Sequence, residues 1–155
     1  MRTISKKVQY SLRALYSLAE SFGEGPVLIS RVAQTEHIPL KFLEAILLEL
    51  KGMGFVESKK GRGGGYQLSR GPADITIGAV IRAIDGPLAP LPCASETAYR
   101  PCETCADVKA CGTRIIMRQV RDATAKILDG TTLADVVRMI NAERQHAIGF
   151  VDFEI

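Results

Sequence analysis

The sequence predicts a mostly α-helical chain that carries one small β-hairpin and a long helix towards its C-terminus. Three observations predict it. Apolar residues recur at helical spacing in several separate stretches, two β-prone runs flank the glycine cluster Gly61-Arg62-Gly63-Gly64-Gly65, and Gly or Pro breakers divide the stretches. In residues 1–70 the order is helix, short helix, tight turn, helix and basic hairpin, which is the order of a winged helix-turn-helix.

Each element has its own signal. Val8, Leu12, Leu15, Ala19 and Phe22 form one stripe, spaced by four and three, that stops at Gly23-Glu24-Gly25-Pro26. A short helix is predicted from Ile29 to Glu36, with Ile29, Val32 and Ala33 inward. After a turn at His37 and Ile38, Pro39 opens a third helix, where its missing N–H is not needed. Leu43, Ile46, Leu47 and Leu50 are its buried stripe, and Lys41, Glu44 and Lys51 lie outside it. Gly52-Met53-Gly54 stops that helix, and Phe55–Lys59 and Tyr66–Ser69 read as the two strands of the hairpin. Residues 71–87 form a connecting segment whose helix carries Ile77, Val80, Ile81 and Ile84 and ends at Gly86-Pro87. Residues 88–112, rich in Pro and Cys, have no sustained period and read as a loop with at most one helical turn. Residues 113–140 hold a long helix, Thr113 to Leu128, with Ile116, Val120, Ala123 and Ile127 in line and Arg114, Arg118 and Arg121 on another face. A last short helix, Thr132 to Ile140, precedes a loosely held tail over residues 141–155.

Hydrophobic residues make up 46% of the 155 and charged residues 24%, which is globular rather than disordered composition. No apolar run approaches the roughly 20 residues that span a bilayer, and Met1 to Tyr10 lacks the apolar stretch of a signal peptide, so a cytoplasmic protein with no membrane partner is expected. The net charge of +3 hides an asymmetry. Through Arg70 there are eleven Lys and Arg against six acids, a balance of +5; from Gly71 onward there are nine against eleven, a balance of −2. A basic first half suits contact with nucleic-acid phosphates, because neutralised phosphates release counterions.

The third helix can enter a major groove if one side packs and the other is free to touch base edges. The hairpin can reach a minor groove or phosphates if its tip is thin and positive. Lys59, Lys60 and Arg62 supply that charge, and the glycines let backbone come close. A phosphate-cradling P-loop is excluded, since the glycines are followed by a strand and not by Lys-Ser/Thr and a helix.

All four cysteines lie between Leu91 and Gly112: Cys93, eight residues, Cys102, two residues, Cys105, five residues, Cys111. A disulfide-stapled secreted domain would spread them along a shorter chain. Four thiolates in one loop suit an iron–sulfur cluster ([2Fe-2S] or [4Fe-4S]), with zinc as the runner-up; only Cys102 and Cys105 form the short-spaced pair that zinc sites favour. A dithiol/disulfide switch and four structural thiols are the remaining readings.

Tyr10-Ser11-Leu12-Arg13-Ala14-Leu15, Pro39-Leu40-Lys41-Phe42-Leu43-Glu44, Gly61-Arg62-Gly63-Gly64-Gly65-Tyr66-Gln67-Leu68 and Ile84-Asp85-Gly86-Pro87 follow one another in an order that resembles the Rrf-two family of bacterial winged helix-turn-helix transcription regulators. That family includes the iron–sulfur-cluster regulator and nitric-oxide-sensing repressors. The resemblance covers about Met1 to Ile140. It implies a homodimer on near-palindromic double-stranded DNA, with the helix from Thr113 to Leu128 as the dimerisation helix. It places the recognition-helix positions on Lys41, Phe42 and Glu44 and the basic wing position on Lys60. It also implies three cluster ligands, matched by Cys93, Cys105 and Cys111. The family's fourth ligand is a His shortly after the last Cys or a carboxylate near the N-terminus. Arg114 and Gln9 stand at those places here, so Cys102 is the replacement ligand. Two further departures are Leu28, where the family often has a capping Ser or Thr, and His37, where it commonly has a small turn residue.

The expectation is therefore a dimeric DNA-binding regulator, not an enzyme, whose loop at 88–112 senses redox state, nitric oxide or iron–sulfur status through a cluster on Cys93, Cys102, Cys105 and Cys111. Within the same fold the alternative is a zinc or dithiol/disulfide switch. From another class, the alternative is an iron–sulfur or thiol redox protein without DNA function. Such a carrier needs neither a basic half nor a wing, and a thiol oxidoreductase wants its Cys-x-x-Cys at a helix start beside a βαβ unit.

Overall fold

The computed structural model describes residues 4–151, with side chains through residue 147. The chain runs α1 (Lys6–Glu20), α2 (Ile29–Thr35), α3 (Leu40–Gly52), β1 (Val56–Lys59), β2 (Gly65–Leu68), α4 (Ile77–Asp85), α5 (Gly112–Asp129) and α6 (Leu133–Val151), with 3-10 turns at Pro72–Asp74 and Pro92–Ala94. The strands are antiparallel, with Val56 opposite Leu68 and Lys59 opposite Gly65. None of the described helices is long and apolar enough to cross a membrane.

Helix α1 is the hub. Its inward side buries Val8, Leu12, Ala14, Leu15, Leu18 and Ala19, against which α2, α3, α4, α6 and β2 all pack. Ser5 caps it, accepting from the Val8 N–H at 3.1 Å, which satisfies one of the first-turn donors. The helix ends at Glu20, so Phe22 falls beyond it and stands 49% exposed; the predicted stripe was one turn too long. Ser11 is buried in this helix, and among the described residues its hydroxyl has no hydrogen-bond partner. A buried hydroxyl without a partner is costly, and Ala is the better helix former. Ser11→Ala is therefore expected to raise stability by about 1 kcal/mol, read as a later midpoint in urea with an unchanged slope. An earlier midpoint would mean that the hydroxyl is satisfied in solution.

Leu43, Ile46, Leu47 and Leu50 are buried on α3 as their spacing predicts. Pro39 sits one position earlier than expected, at the N-cap, with its carbonyl accepting from the Leu43 N–H at 3.0 Å. The α2–α3 turn places His37 at φ 51, a left-handed conformation that explains why a small residue suits the position. Leu28 gives α2 no side-chain cap; its carbonyl takes the N–H groups of Arg31 and Val32 instead.

The wing has a partner that the strand signals did not reveal. Val27 bridges Tyr66, the two exchanging N–H···O bonds of 2.8 and 2.9 Å, so the segment entering α2 extends the hairpin sideways. Gly65 makes this approach possible, since a Cβ there would stand 2.2 Å from the Val27 carbonyl oxygen.

Beyond the wing, α4 docks on α1, and Asp85 at its end ties the start of the chain. The Asp85 carboxylate accepts from the Ser5 N–H at 2.8 Å and from the Ser5 hydroxyl at 2.6 Å. The Asp-Gly-Pro motif therefore fixes the residue that caps α1, while Gly86 at φ 83 turns the chain out of α4. The Arg82 guanidinium grips Asp129 at 2.5 and 2.8 Å, which holds that carboxyl below the usual range. Gly78 leaves room for the same carboxylate.

The C-terminal end corrects the sequence reading. Instead of a short helix ending at Ile140 and a loose tail, α6 continues to Val151. Asn141 to Ala147 contain Ala, Glu, Arg and Gln, which lose little freedom in a helix, and Arg144 reaches Glu20 of α1 at 2.8 Å. Residues 152–155 of the expected tail lie outside the described residues.

Candidate nucleic-acid interface and cysteine loop

Packing the buried stripe of α3 against α1 leaves Lys41, Phe42 and Glu44 outward near the start of the helix, all exposed. Phe42 is 64% exposed, far more than an aromatic side chain with a place in the core. Leu40 and Leu48 are exposed beside it, so this surface offers apolar as well as polar contacts. Neither Lys41 nor Glu44 makes an ion pair among the described residues. Towards the other end of the helix, Glu49 pairs with Lys7 at 3.0 Å and Lys51 donates to the Ser58 hydroxyl at 2.6 Å.

Lys59, Lys60 and Arg62 sit at the hairpin tip and are exposed. Gly61 and Gly63 adopt positive φ there, and Gly64 is the tightest position of the turn: a Cβ would meet the Lys59 carbonyl oxygen at 2.3 Å. The tip is thus backbone, three cations and little else. That is a shape able to lie against phosphates or enter a narrow groove.

The cysteine loop converges on the first turn of α5. Cys111 is the N-cap of that helix, and the backbone N–H groups of Arg114 and Thr113, with the Cys105 thiol, hold its own thiol below the usual range. Cys105 lies with its Sγ 3.8 Å from that of Cys111. Hydrogen bonding to Cys102 and Cys111 pushes the Cys105 thiol up to about 12, whereas the Thr104 hydroxyl, 3.4 Å from Cys102, brings that thiol down to about 7.

Cys93 is held differently. It is buried in the Pro92–Ala94 turn, and its carbonyl accepts from Arg114 Nε at 2.8 Å. Seven residues further along α5, and so on the same face, Arg121 Nη1 donates to the next carbonyl, that of Ala94, at 2.6 Å. Arg121 is buried and also meets Glu96 at 3.0 Å and Asp122. Two arginines therefore clamp the Cys93 segment to α5. The sequence set these arginines on a separate face without revealing what that face covers; their i, i+7 spacing was the available signal.

Among the described residues no three His, Cys, Asp or Glu side chains are arranged to hold a metal ion. The structure links Cys102, Cys105 and Cys111 in a chain centred on Cys105 and leaves the Cys93 thiol buried to one side, so the four predicted ligands are brought to one helix end without converging. The 3.8 Å sulfur–sulfur distance nevertheless fits two thiolates on one tetrahedral ion, since metal–sulfur bonds of about 2.3 Å place their sulfurs about 3.8 Å apart. The donor set, thiols at the positive end of a helix, suits a thiolate-bound centre. His37, exposed in the α2–α3 turn, has no part in this group.

The apolar line predicted on α5 is not core. Ile116 and Ile127 are 47% and 66% exposed, Ala123 is exposed, and Val120 is half-buried.

Residues 4–139 match the family model Rrf2, described as an iron-dependent transcriptional regulator. The chain is 42% identical over 137 residues to the rrf2-like HTH-type transcriptional regulator of Rhodobacter capsulatus, covering 86% of this chain and 91% of that one. It superposes on the structure of CymR (YrzC), the global cysteine regulator of B. subtilis, with a TM-score of 0.75 at 34% identity, covering 90% of this chain and 98% of the other. On the IscR of T. potens the TM-score is 0.70 at 29% identity, with 90% and 88% covered. With these matches spanning nearly its whole length, the chain belongs to the Rrf2 family, a family of helix-turn-helix transcription regulators rather than of enzymes.

Proposed function

We propose that the protein binds a near-palindromic operator as a homodimer and that the cysteine loop makes this binding responsive through an iron–sulfur cluster. The observation that carries the reading is the placement of the loop: its cysteines gather at the first turn of α5, the helix whose open Ile116–Ile127 line is offered to a second copy. A change in the loop therefore acts on the element that sets the distance between two α3 helices. By linkage, DNA must bias the loop in return.

The exposure of α3 and of the hairpin tip supports a division of labour on DNA. Lys41, Phe42 and Glu44 face the bases, and Lys59, Lys60 and Arg62 face the backbone or minor groove. Lys60→Ala and Arg62→Ala are expected to weaken binding to all sequences and to flatten the salt dependence by about one unit of log–log slope for each phosphate contact removed. Glu44→Ala is expected to change which bases are tolerated, because a carboxylate accepts from cytosine and repels other edges. Fluorescence anisotropy on a set of single-base operator variants measures both. An unchanged base preference in Glu44→Ala would remove α3 as the reader.

Cys105 and Cys111, with Cys102 beside them, are the residues that would hold the cluster first, and Cys93 would complete the set. When bound, the cluster supplies a centre that gains or loses electrons and reacts with oxidants or nitric oxide. The arginine clamp then sets where the Cys93 segment lies. Anaerobically purified protein is expected to be brown, with iron and acid-labile sulfide in comparable amounts, and Cys105→Ser and Cys111→Ser are expected to lose the colour. Colourless protein with stoichiometric zinc would replace the cluster by the zinc reading, favoured by the Cys102–Cys105 spacing, and leave the DNA-binding role intact.

A further inference from the structure

In the metal-free protein the same sulfur pair has another fate available. We infer that Cys105 and Cys111 are a modification site, closing to an intramolecular disulfide when the protein meets a hydroperoxide. This inference deepens the reading of residues 88–112 as the responsive loop and rests on it.

The pair is selected by geometry. Cys105 and Cys111 have their sulfurs 3.8 Å apart, close to van der Waals contact, and both are half-buried in a segment without regular structure. A disulfide needs the sulfurs at about 2.05 Å, so side-chain rotation and a small loop movement complete the approach. Cys93 is excluded by burial and by the hydrogen bonds from Arg114 and Arg121 that hold its own carbonyl and the next one. Cys102, in contact with the Thr104 hydroxyl at 3.4 Å and hydrogen-bonded to the Cys105 thiol, is the competing partner, and its bridge to Cys105 would lie inside a single tryptic peptide.

The chemistry balances with the peroxide as the only oxidant. One thiolate of the pair attacks the peroxide: a sulfur–oxygen bond forms, the oxygen–oxygen bond breaks, and an alcohol or water leaves. The second thiolate attacks the sulfenic sulfur: the sulfur–sulfur bond forms and water leaves after protonation. Two thiols lose two electrons, and the peroxide is reduced by two. The disulfide joins a loop residue to the N-cap of α5 and withdraws two thiolates from any metal. Oxidation and metal loading are mutually exclusive at this pair.

The sequence makes the product easy to read. Trypsin cuts at Lys109 but not at Arg100, which precedes Pro101, so Cys93, Cys102 and Cys105 share the peptide 83–109 and Cys111 lies alone in 110–114. Chelator-treated, reduced full-length protein would be exposed to stoichiometric hydrogen peroxide, alkylated and digested without reduction. Free thiols are expected to fall from four to two in wild-type protein and from three to one in Cys93→Ser and Cys102→Ser, with 110–114 linked to 83–109 in all three and not in Cys105→Ser. Oxidised protein should take up neither zinc nor iron until a dithiol is added. A bridge inside peptide 83–109, a linkage that survives Cys105→Ser, or four thiols alkylated throughout would overturn the inference. Those results would leave the cluster reading standing if the untreated protein is brown, whereas a mapped Cys105–Cys111 bridge in a protein that never holds iron would overturn the cluster alone.

Discussion

Gly65→Ala is expected to lower stability by about 3 kcal/mol and to abolish DNA binding to every sequence at once. The new methyl group has nowhere to go. Its position lies 2.2 Å from the Val27 carbonyl oxygen and 2.5 Å from the carbonyl carbon, and both atoms are backbone, so no side-chain rotation relieves the clash. The residue also sits at φ 153, which side-chain-bearing residues rarely adopt. The wing must move away from Val27, which breaks the exchange with Tyr66 and displaces Lys59, Lys60 and Arg62 together. Urea unfolding and anisotropy with specific and random duplexes measure the two effects. Gly52→Ala is the control: it lies at the end of α3 with nothing within 4 Å of the added carbon, and it is expected to change stability by less than about 1 kcal/mol. Equal effects of the two substitutions would show that Val27 and the wing are not joined in solution.

Arg121→Ala is expected to cost about 2 kcal/mol and to free the Cys93 segment. The substitution strips the buried Ala94 carbonyl of its donor, removes the ion pair with Glu96 and opens space between α5 and the Pro92–Ala94 turn. Arg118→Ala, exposed on the same helix, is expected to stay within about 0.5 kcal/mol of wild type. The second readout is chemical. In folded wild-type protein Cys93 is expected to be the slowest of the four cysteines towards iodoacetamide, and Arg121→Ala is expected to make it about as fast as the others, with the order of Cys102, Cys105 and Cys111 preserved. A slow Cys93 in a destabilised Arg121→Ala protein would mean that burial alone, and not the clamp, protects it.

The helical stripes were legible because their signal is local. Val8, Leu12 and Leu15, or Leu43, Ile46, Leu47 and Leu50, announce a face by spacing, and the structure buries those residues. The glycine-rich tip was legible for the same reason. What the sequence withheld depends on partners distant in the chain. Asp85 looks like the end of a helix until Ser5, eighty residues earlier, is found on its carboxylate. Val27 carries no strand signal because a single bridge needs no alternating run. Arg121 reads as surface charge because a buried arginine and a solvated one have the same spacing. The extent of α6 was missed because residues 141–147 are all exposed and lack the apolar repeat on which helix reading relies. At the cysteine loop, composition marked four clustered thiols and the family resemblance offered a pattern for them. Neither could say that Cys93 is pinned by its backbone while the other three thiols touch.

The bridge between Val27 and Tyr66 has a mechanical consequence. It ties the wing to the segment that leads directly into α2, and Lys51 ties α3 to β1. The wing is thereby joined to its neighbours at two points, one on the way into α2 and one on α3. Because α4 and α6 pack on the same α1 that carries α3 and β2, and α5 packs on α4, a shift of α5 would carry α3 and the wing together. On the proposed operator, such a shift would change the gap between half-sites and leave the layout within each half unaltered.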